Sequence, residues 1–130
     1  MKGFLKISAA ASVLALCLLC AGCGEAYGTM KMADAQKEIE AGTDYLIVDV
    51  RTAEEYEKGH IPGALLVPVE DIRGGEPEAL ADKEEKIMVY CRTGRRSEEA
   101  AALLAGYGYT NVCDIGGFVD WTGEVETGGA

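Results

Sequence analysis

Six consecutive residues of this 130-residue chain, Cys91-Arg92-Thr93-Gly94-Arg95-Arg96, set one thiol among three guanidinium groups. A thiol attacks as its thiolate, and nearby positive charge or converging N–H groups favour that form. A unit charge ~4 Å from the sulfur contributes about 4 kcal/mol at an effective dielectric of ~20, so one well-placed arginine is sufficient. Gly94 lets the backbone curl towards the sulfur. Glu98 and Glu99 oppose the positive field only in part, and they suit the first turn of a following helix. The same arginines and amides would hold a small anion. The expected chemistry is therefore nucleophilic attack by Cys91 on an anionic substrate, with Arg92, Thr93, Gly94, Arg95 and Arg96 as candidate binding residues. The plainer alternative is a buried cysteine before a solvated basic turn, an arrangement in which three arginines and a glycine would be unusual company.

Positioning such a loop requires a rigid strand before it and a helix after it. "KIMVY" (86–90) has the continuous apolar character of a strand buried on both faces, and "YLIVDV" (45–50) has the same character. Further strands are expected over "ALLVPV" (64–69), where Pro68 marks an edge or an ending, and within "TNVCDI" (110–115). Between these runs lie helical segments. Met32, Ala35 and Ile39 form a stripe closed by Gly42, "AEEYEKG" is a short polar helix, and Ala100, Leu103, Leu104 and Tyr107 share one face after the loop. "IRGGEPEALADKEE" reads as a polar connection with one helical turn, and "GFVDWTG" as a last short helix or turn. Strands alternating with helices predict an α/β domain with a parallel sheet covered on both faces. Sites in such sheets form at the carboxyl ends of strands, which is where Cys91 falls.

Charge and the first residues bound the remaining functions. The chain carries 22 acidic and 12 basic residues, a formal net charge of −10, which argues against nucleic acid as a partner. Lys2 and Lys6 precede an apolar run from Ile7 to Leu19, with small residues before Cys23, as in a secretory leader. The run is short of the ~20 residues that span a bilayer. Leu19-Cys20-Ala21-Gly22-Cys23 resembles the lipobox of bacterial lipoproteins, which implies removal of residues 1–22, a lipid on Cys23 and a domain on the extracytoplasmic side. Loss of 1–22 removes two lysines and no acid, so the remainder is more acidic still, and its membrane contact would come through the lipid. Residues 23–28 then read as a tether, 29–123 as the domain and 124–130 as a loose tail. Cys91 and Cys113 are the thiols left, too few for a disulfide framework. One histidine and two thiols also make a poor metal site, and no cofactor is expected.

Three stretches in order, "DVRTAEEYEKGHIPGA" (49–64), "CRTGRRS" (91–97) and "DIGGFVDW" (114–121), resemble the signatures of single-domain rhodaneses. Together with the linking strands they cover 30–123. The resemblance implies a three-layer rhodanese-like domain with a five-stranded parallel sheet and helices on both faces. It also implies sulfurtransferase activity. Cys91 would take sulfane sulfur from a donor such as thiosulfate or polysulfide, carry it as a persulfide, and yield it to a thiophilic acceptor, a thiol or a protein. A non-enzymatic sulfur carrier or partner-binding module of the same fold is the alternative. Related cysteine phosphatases use Cys-x5-Arg, whereas residue 97 here is serine, so the loop counts against phosphate ester chemistry. The resemblance further implies that His60 belongs to a structural turn and that Asp49 and Arg51 tie a strand end to its neighbours. Cys113 shares a strand face with Ile115 and reads as a buried apolar side chain rather than a second sulfur carrier.

Overall fold

The computed structural model describes residues 26–130. The leader and Cys17, Cys20 and Cys23 lie outside the described residues. The chain runs β1 (Gly28–Thr29), α1 (Met32–Glu40), β2 (Leu46–Asp49), α2 (Ala53–Lys58), β3 (Leu65–Leu66), α3 (Val69–Arg73), β4 (Ile87–Cys91), α4 (Arg95–Gly106) and β5 (Val112–Gly117), then a 3-10 turn at Phe118–Asp120. The strands form one parallel sheet in the order β1-β5-β4-β2-β3.

The sheet separates two cores, as a layered α/β domain requires. On one face, Val48, Val89, Cys91 and Val112 pack with Val69 and Ile72 of α3 and with Ala100, Ala101 and Leu104 of α4. On the other, Ile47, Met88, Tyr90, Cys113 and Ile115 pack with Met32 and Ala35 of α1 and with Tyr56 of α2. Every residue of β4 is buried, in agreement with its unbroken apolar sequence. The expected five-stranded parallel sheet with helices on both faces is the one observed.

Local signals account for the elements beside the loop. Thr52 caps α2: its hydroxyl accepts the Glu55 amide at 3.2 Å while the Glu55 carboxylate accepts the Thr52 amide at 3.1 Å, a reciprocal capping box. Gly94 sits at φ 110° and opens α4, in a region of backbone space that glycine enters without steric cost.

Four expectations change. Gly28, placed at the end of a tether, pairs with Cys113 as part of β1, and Tyr27 packs on the core. Strand β3 covers only Leu65–Leu66, at the sheet edge; Pro68 caps α3, and Val69 opens that helix instead of extending the strand. The helical turn expected within 72–85 starts earlier, as α3 from Val69 to Arg73, because Val69 and Ile72 both find the core. The segment after Gly123 is not loose. Glu126 and His60 exchange amide–carbonyl bonds at 2.9 and 3.0 Å, the Gly128 amide donates to the Glu57 carbonyl at 2.8 Å, and the Trp121 indole donates to the Glu124 carbonyl at 2.8 Å.

Candidate active site

Cys91 is the last residue of β4, and its sulfur lies beneath the loop that follows, with the residue 1% exposed. The turn at Gly94 brings that residue's amide to 3.0 Å from Sγ, donating to it. A neutral thiol has one further contact, to the Ser97 hydroxyl at 3.7 Å. Ser97 is fully buried, and its hydroxyl also lies 2.7 Å from Asp114 Oδ1, 3.1 Å from the Gly94 carbonyl and 3.4 Å from the Gly116 carbonyl. A hydroxyl holds one hydrogen. The short contact to a carboxylate takes it, and the oxygen lone pairs then face Cys91. Once Cys91 is ionised, the Ser97 hydrogen has two anionic acceptors to choose between. Asp114 keeps a second donor in either case, the Gly116 amide at 3.0 Å.

The loop is clamped from outside by β5. A Cβ built on Gly117 would stand 2.6 Å from the Arg92 carbonyl oxygen and 2.7 Å from Thr93 Cα, so only glycine fits between the strand end and the loop. The Val119 amide donates to the Arg92 carbonyl at 3.1 Å.

The three arginines separate into different surroundings. Arg96 makes a bidentate pair with Glu55 at 2.7 and 2.9 Å, which fastens the start of α4 to α2. That guanidinium, first among its partners, lowers the Glu55 carboxyl to about 2. The side chains of Arg92 and Arg95 are exposed and make no ion pair among the described residues. Arg92 lines a depression with Arg51, Glu55, Lys58, Gly59, Phe118 and Val119. Thr93 lines a separate one with Met30, Lys31, Gly116 and Asp120.

Around this centre other polar side chains are held by contacts within the fold. Arg51 pairs with Asp49 at 2.7 Å and donates to the Gly59 carbonyl at 2.7 Å, both side chains being buried, and its guanidinium stacks 4.6 Å above the Phe118 ring. His60 places Nδ1 2.7 Å from the Tyr56 carbonyl and stacks on the Tyr56 ring at 3.6 Å. Tyr90, beside the nucleophile in sequence, accepts the Ile61 amide at 3.1 Å on the opposite side of the sheet. Burial, and then the charge of Asp49, push its phenol up and keep it neutral. Cys113 lies in the second core, so the sheet stands between it and Cys91. Among the described residues, no group of three or more His, Cys, Asp or Glu side chains is arranged to hold a metal ion.

In the sequence alone, Ser97 serves only to count against phosphate ester chemistry. Asp114, Gly117 and Glu55 lay inside matching motifs without any assigned part. Their contacts join residues 17 to 41 positions apart, which no local pattern encodes.

The Rhodanese-like domain model matches residues 31–124. Thiosulfate sulfurtransferase PspE of Escherichia coli is 37% identical over 73 residues, 56% of this chain and 70% of its own. The putative sulfur carrier protein YrkF of Bacillus subtilis is 37% identical over 95 residues, 70% of this chain and 49% of its own. A tRNA uridine(34) hydroxylase of Hamiltonella defensa is 36% identical over 99 residues, 72% of this chain but 28% of its own. The chain thus spans about half or less of the second and third relatives. Among solved structures, a rhodanese with anions from E. coli superposes with a TM-score of 0.59 at 33% identity, covering 65% of this chain and 99% of that one.

Proposed function

This chain belongs to the rhodanese-like domain family, and from that premise we propose that it is a sulfurtransferase working through a persulfide on Cys91. The observation that carries the reading is the sulfur at the end of β4 accepting the Gly94 amide at 3.0 Å within a six-residue loop. Sulfur chemistry is named for the E. coli and B. subtilis relatives, with thiosulfate named for the first, whereas the hydroxylase relatives carry a different activity.

In the first half-reaction the Cys91 thiolate supplies an electron pair to the sulfane sulfur of thiosulfate. The new S–S bond forms as the old one breaks, and sulfite departs with the bonding pair. Arg92 and Arg95, exposed and without ion-pair partners, are suited to meet the incoming anion. Gly94 N–H stabilises negative charge on Sγ, and Thr93 forms part of the loop's outer wall. Arg96 contributes by holding the loop to Glu55, and thereby keeps Gly94 in place. In the second half-reaction a thiophilic acceptor attacks the outer sulfur and restores the Cys91 thiolate. No cofactor enters either step.

Mass spectrometry of the soluble domain tests this directly. Thiosulfate or polysulfide adds one sulfur, cyanide removes it, and Cys91→Ser takes up none. Failure of the wild type to gain sulfur from any donor ends the reading. A carrier that loads without sustained turnover is the second reading, favoured by the 1% exposure of Cys91 and by the carrier relative. Many turnovers per thiol with thiosulfate and cyanide would exclude it.

The enzyme acts, in the same proposal, at the extracytoplasmic face of the cell membrane, held by a lipid on Cys23. An inhibitor of lipoprotein signal peptidase should make precursor accumulate, and unchanged processing would overturn the anchoring.

A further inference from the structure

Five of the ten cations among the described residues are paired, and Lys31, Lys37, Lys58, Arg92 and Arg95 make no ion pair. Arg51 is held by Asp49, Arg73 by Glu99, Lys83 by Glu76, Lys86 by Asp44 and Arg96 by Glu55. Lys58 and Arg92 are exposed and have no such partner, and both line the depression beside the loop. The other two charges in its wall, Arg51 and Glu55, are each neutralised by a partner. The groove therefore carries two uncompensated positive charges on a chain whose formal net charge is −10.

The exposed apolar side chains lie in the same place. Val119, 60% exposed, and Val125, 49% exposed, are the exposed large hydrophobic residues among those described. Val119 lines the groove. Val125 lies beside the groove residue Gly59, since a Cβ on Gly59 would lie 2.9 Å from Val125 Cγ1 and 4.0 Å from the Phe118 ring. Two valines and two unpaired cations thus gather about Gly59. The Val119 amide ties this patch to the Arg92 carbonyl, one residue from the nucleophile.

We propose that this groove docks the protein that receives the sulfur, by gripping an acidic segment that carries an apolar side chain beside the acceptor cysteine. The inference rests on the sulfur-transfer reading of Cys91 and names the acceptor class for it. Carboxylates of the partner meet Lys58 and Arg92, while the acidic excess of the chain disfavours its approach elsewhere. The apolar side chain covers Val119 and Val125, a contact that a small hydrophilic thiol has no atoms to make. The partner cysteine is then brought to the mouth of the loop.

The test preloads the protein with thiosulfate and follows discharge of the persulfide to two synthetic peptides. One presents cysteine among Asp, Glu and Leu; the other has lysines in place of the carboxylates. Mercaptosuccinate serves as a small dianionic thiol. At about 0.15 M salt, where charges beyond ~8 Å are screened, the wild type should discharge to the acidic peptide at least about tenfold faster than to the basic one. Lys58→Glu should bring that ratio to about one or below, and Val119→Ser should slow both peptides about threefold. A ratio of one in the wild type, an unchanged ratio in Lys58→Glu, or mercaptosuccinate matching the acidic peptide would each overturn the docking. A second measurement is independent of the chemistry: fluorescence anisotropy of labelled peptides with serine in place of cysteine, titrated with sulfur-free protein. If no sulfur is taken up but the acidic peptide binds selectively, the sulfur reading fails and the docking stands. Normal uptake without selectivity in either assay sinks the docking alone.

Discussion

Cys91 and Cys113 are both buried thiols on adjacent parallel strands, one at the end of β4 and the other inside β5. Cys91 faces a turn that offers it an amide at 3.0 Å and a hydroxyl at 3.7 Å. Cys113 faces α1, in the core with Met32, Ala35 and Met88. Burial, followed by the charges of Asp114 and Glu38, pushes the Cys113 thiol up and holds it neutral. Residue type and burial are thus shared, and strand position separates a candidate nucleophile from a packing residue. The carboxyl end of a parallel strand leaves the sheet where a helix N-terminus can turn its amides inward; the strand interior has spent its amides on neighbours.

Exchanging each sulfur for oxygen tests that contrast at its widest. Cys91→Ser should lower sulfur transfer at least about a thousandfold, some 4 kcal/mol on the barrier. Cys113→Ser should stay within about threefold of the wild type. Comparable losses in steady-state transfer assays of the two variants would erase the distinction. Gly117→Ala asks whether the loop itself makes the difference. Its Cβ would meet the backbone of Arg92 and Thr93, so the loop must shift, with an expected ten- to hundredfold loss of transfer, about 1.4–2.7 kcal/mol. Thermal unfolding should show the variant still folded; full activity would mean that the clamp is irrelevant.

Stability should report the two thiols in the opposite sense. Cys113→Ser places a hydroxyl against Met32 and Met88 and should cost about 1–3 kcal/mol in urea unfolding, unless the hydroxyl finds an acceptor. The smallest effect concerns Glu55, which fastens the nucleophile's loop through Arg96. Its carboxyl is lowered from 4.5 to about 2, so its stabilising effect is complete above pH ~4.5 and is lost as pH falls towards 2. Glu55→Gln should be less stable than the wild type at pH 7 by no more than about 1 kcal/mol. The gap should close between pH 4.5 and 2, and a gap constant across that range would assign the effect to packing.

Local sequence carried much of this organisation. The unbroken apolar runs of β2 and β4 marked strands buried on both faces, and Gly94 with the acidic first turn of α4 marked a loop entering a helix. Strand β1 escaped notice because two exposed residues, Gly28 and Thr29, have no period to read; pairing with β5 alone makes them a strand. Residues 124–130 looked loose because nothing in their composition foretells that Glu126 meets His60 across the chain.

The six-residue loop, its thiol and its excess of positive charge follow from covalent order, since neighbours in sequence stay neighbours in any fold. Tertiary structure decided which charges remain available. Arg96 is committed because α2 returns Glu55 to it from 41 positions away, while Arg92 and Lys58 stay open at one groove. Such pairings depend on where the chain crosses itself, and burial and packing set that crossing, not the spacing of residues along it.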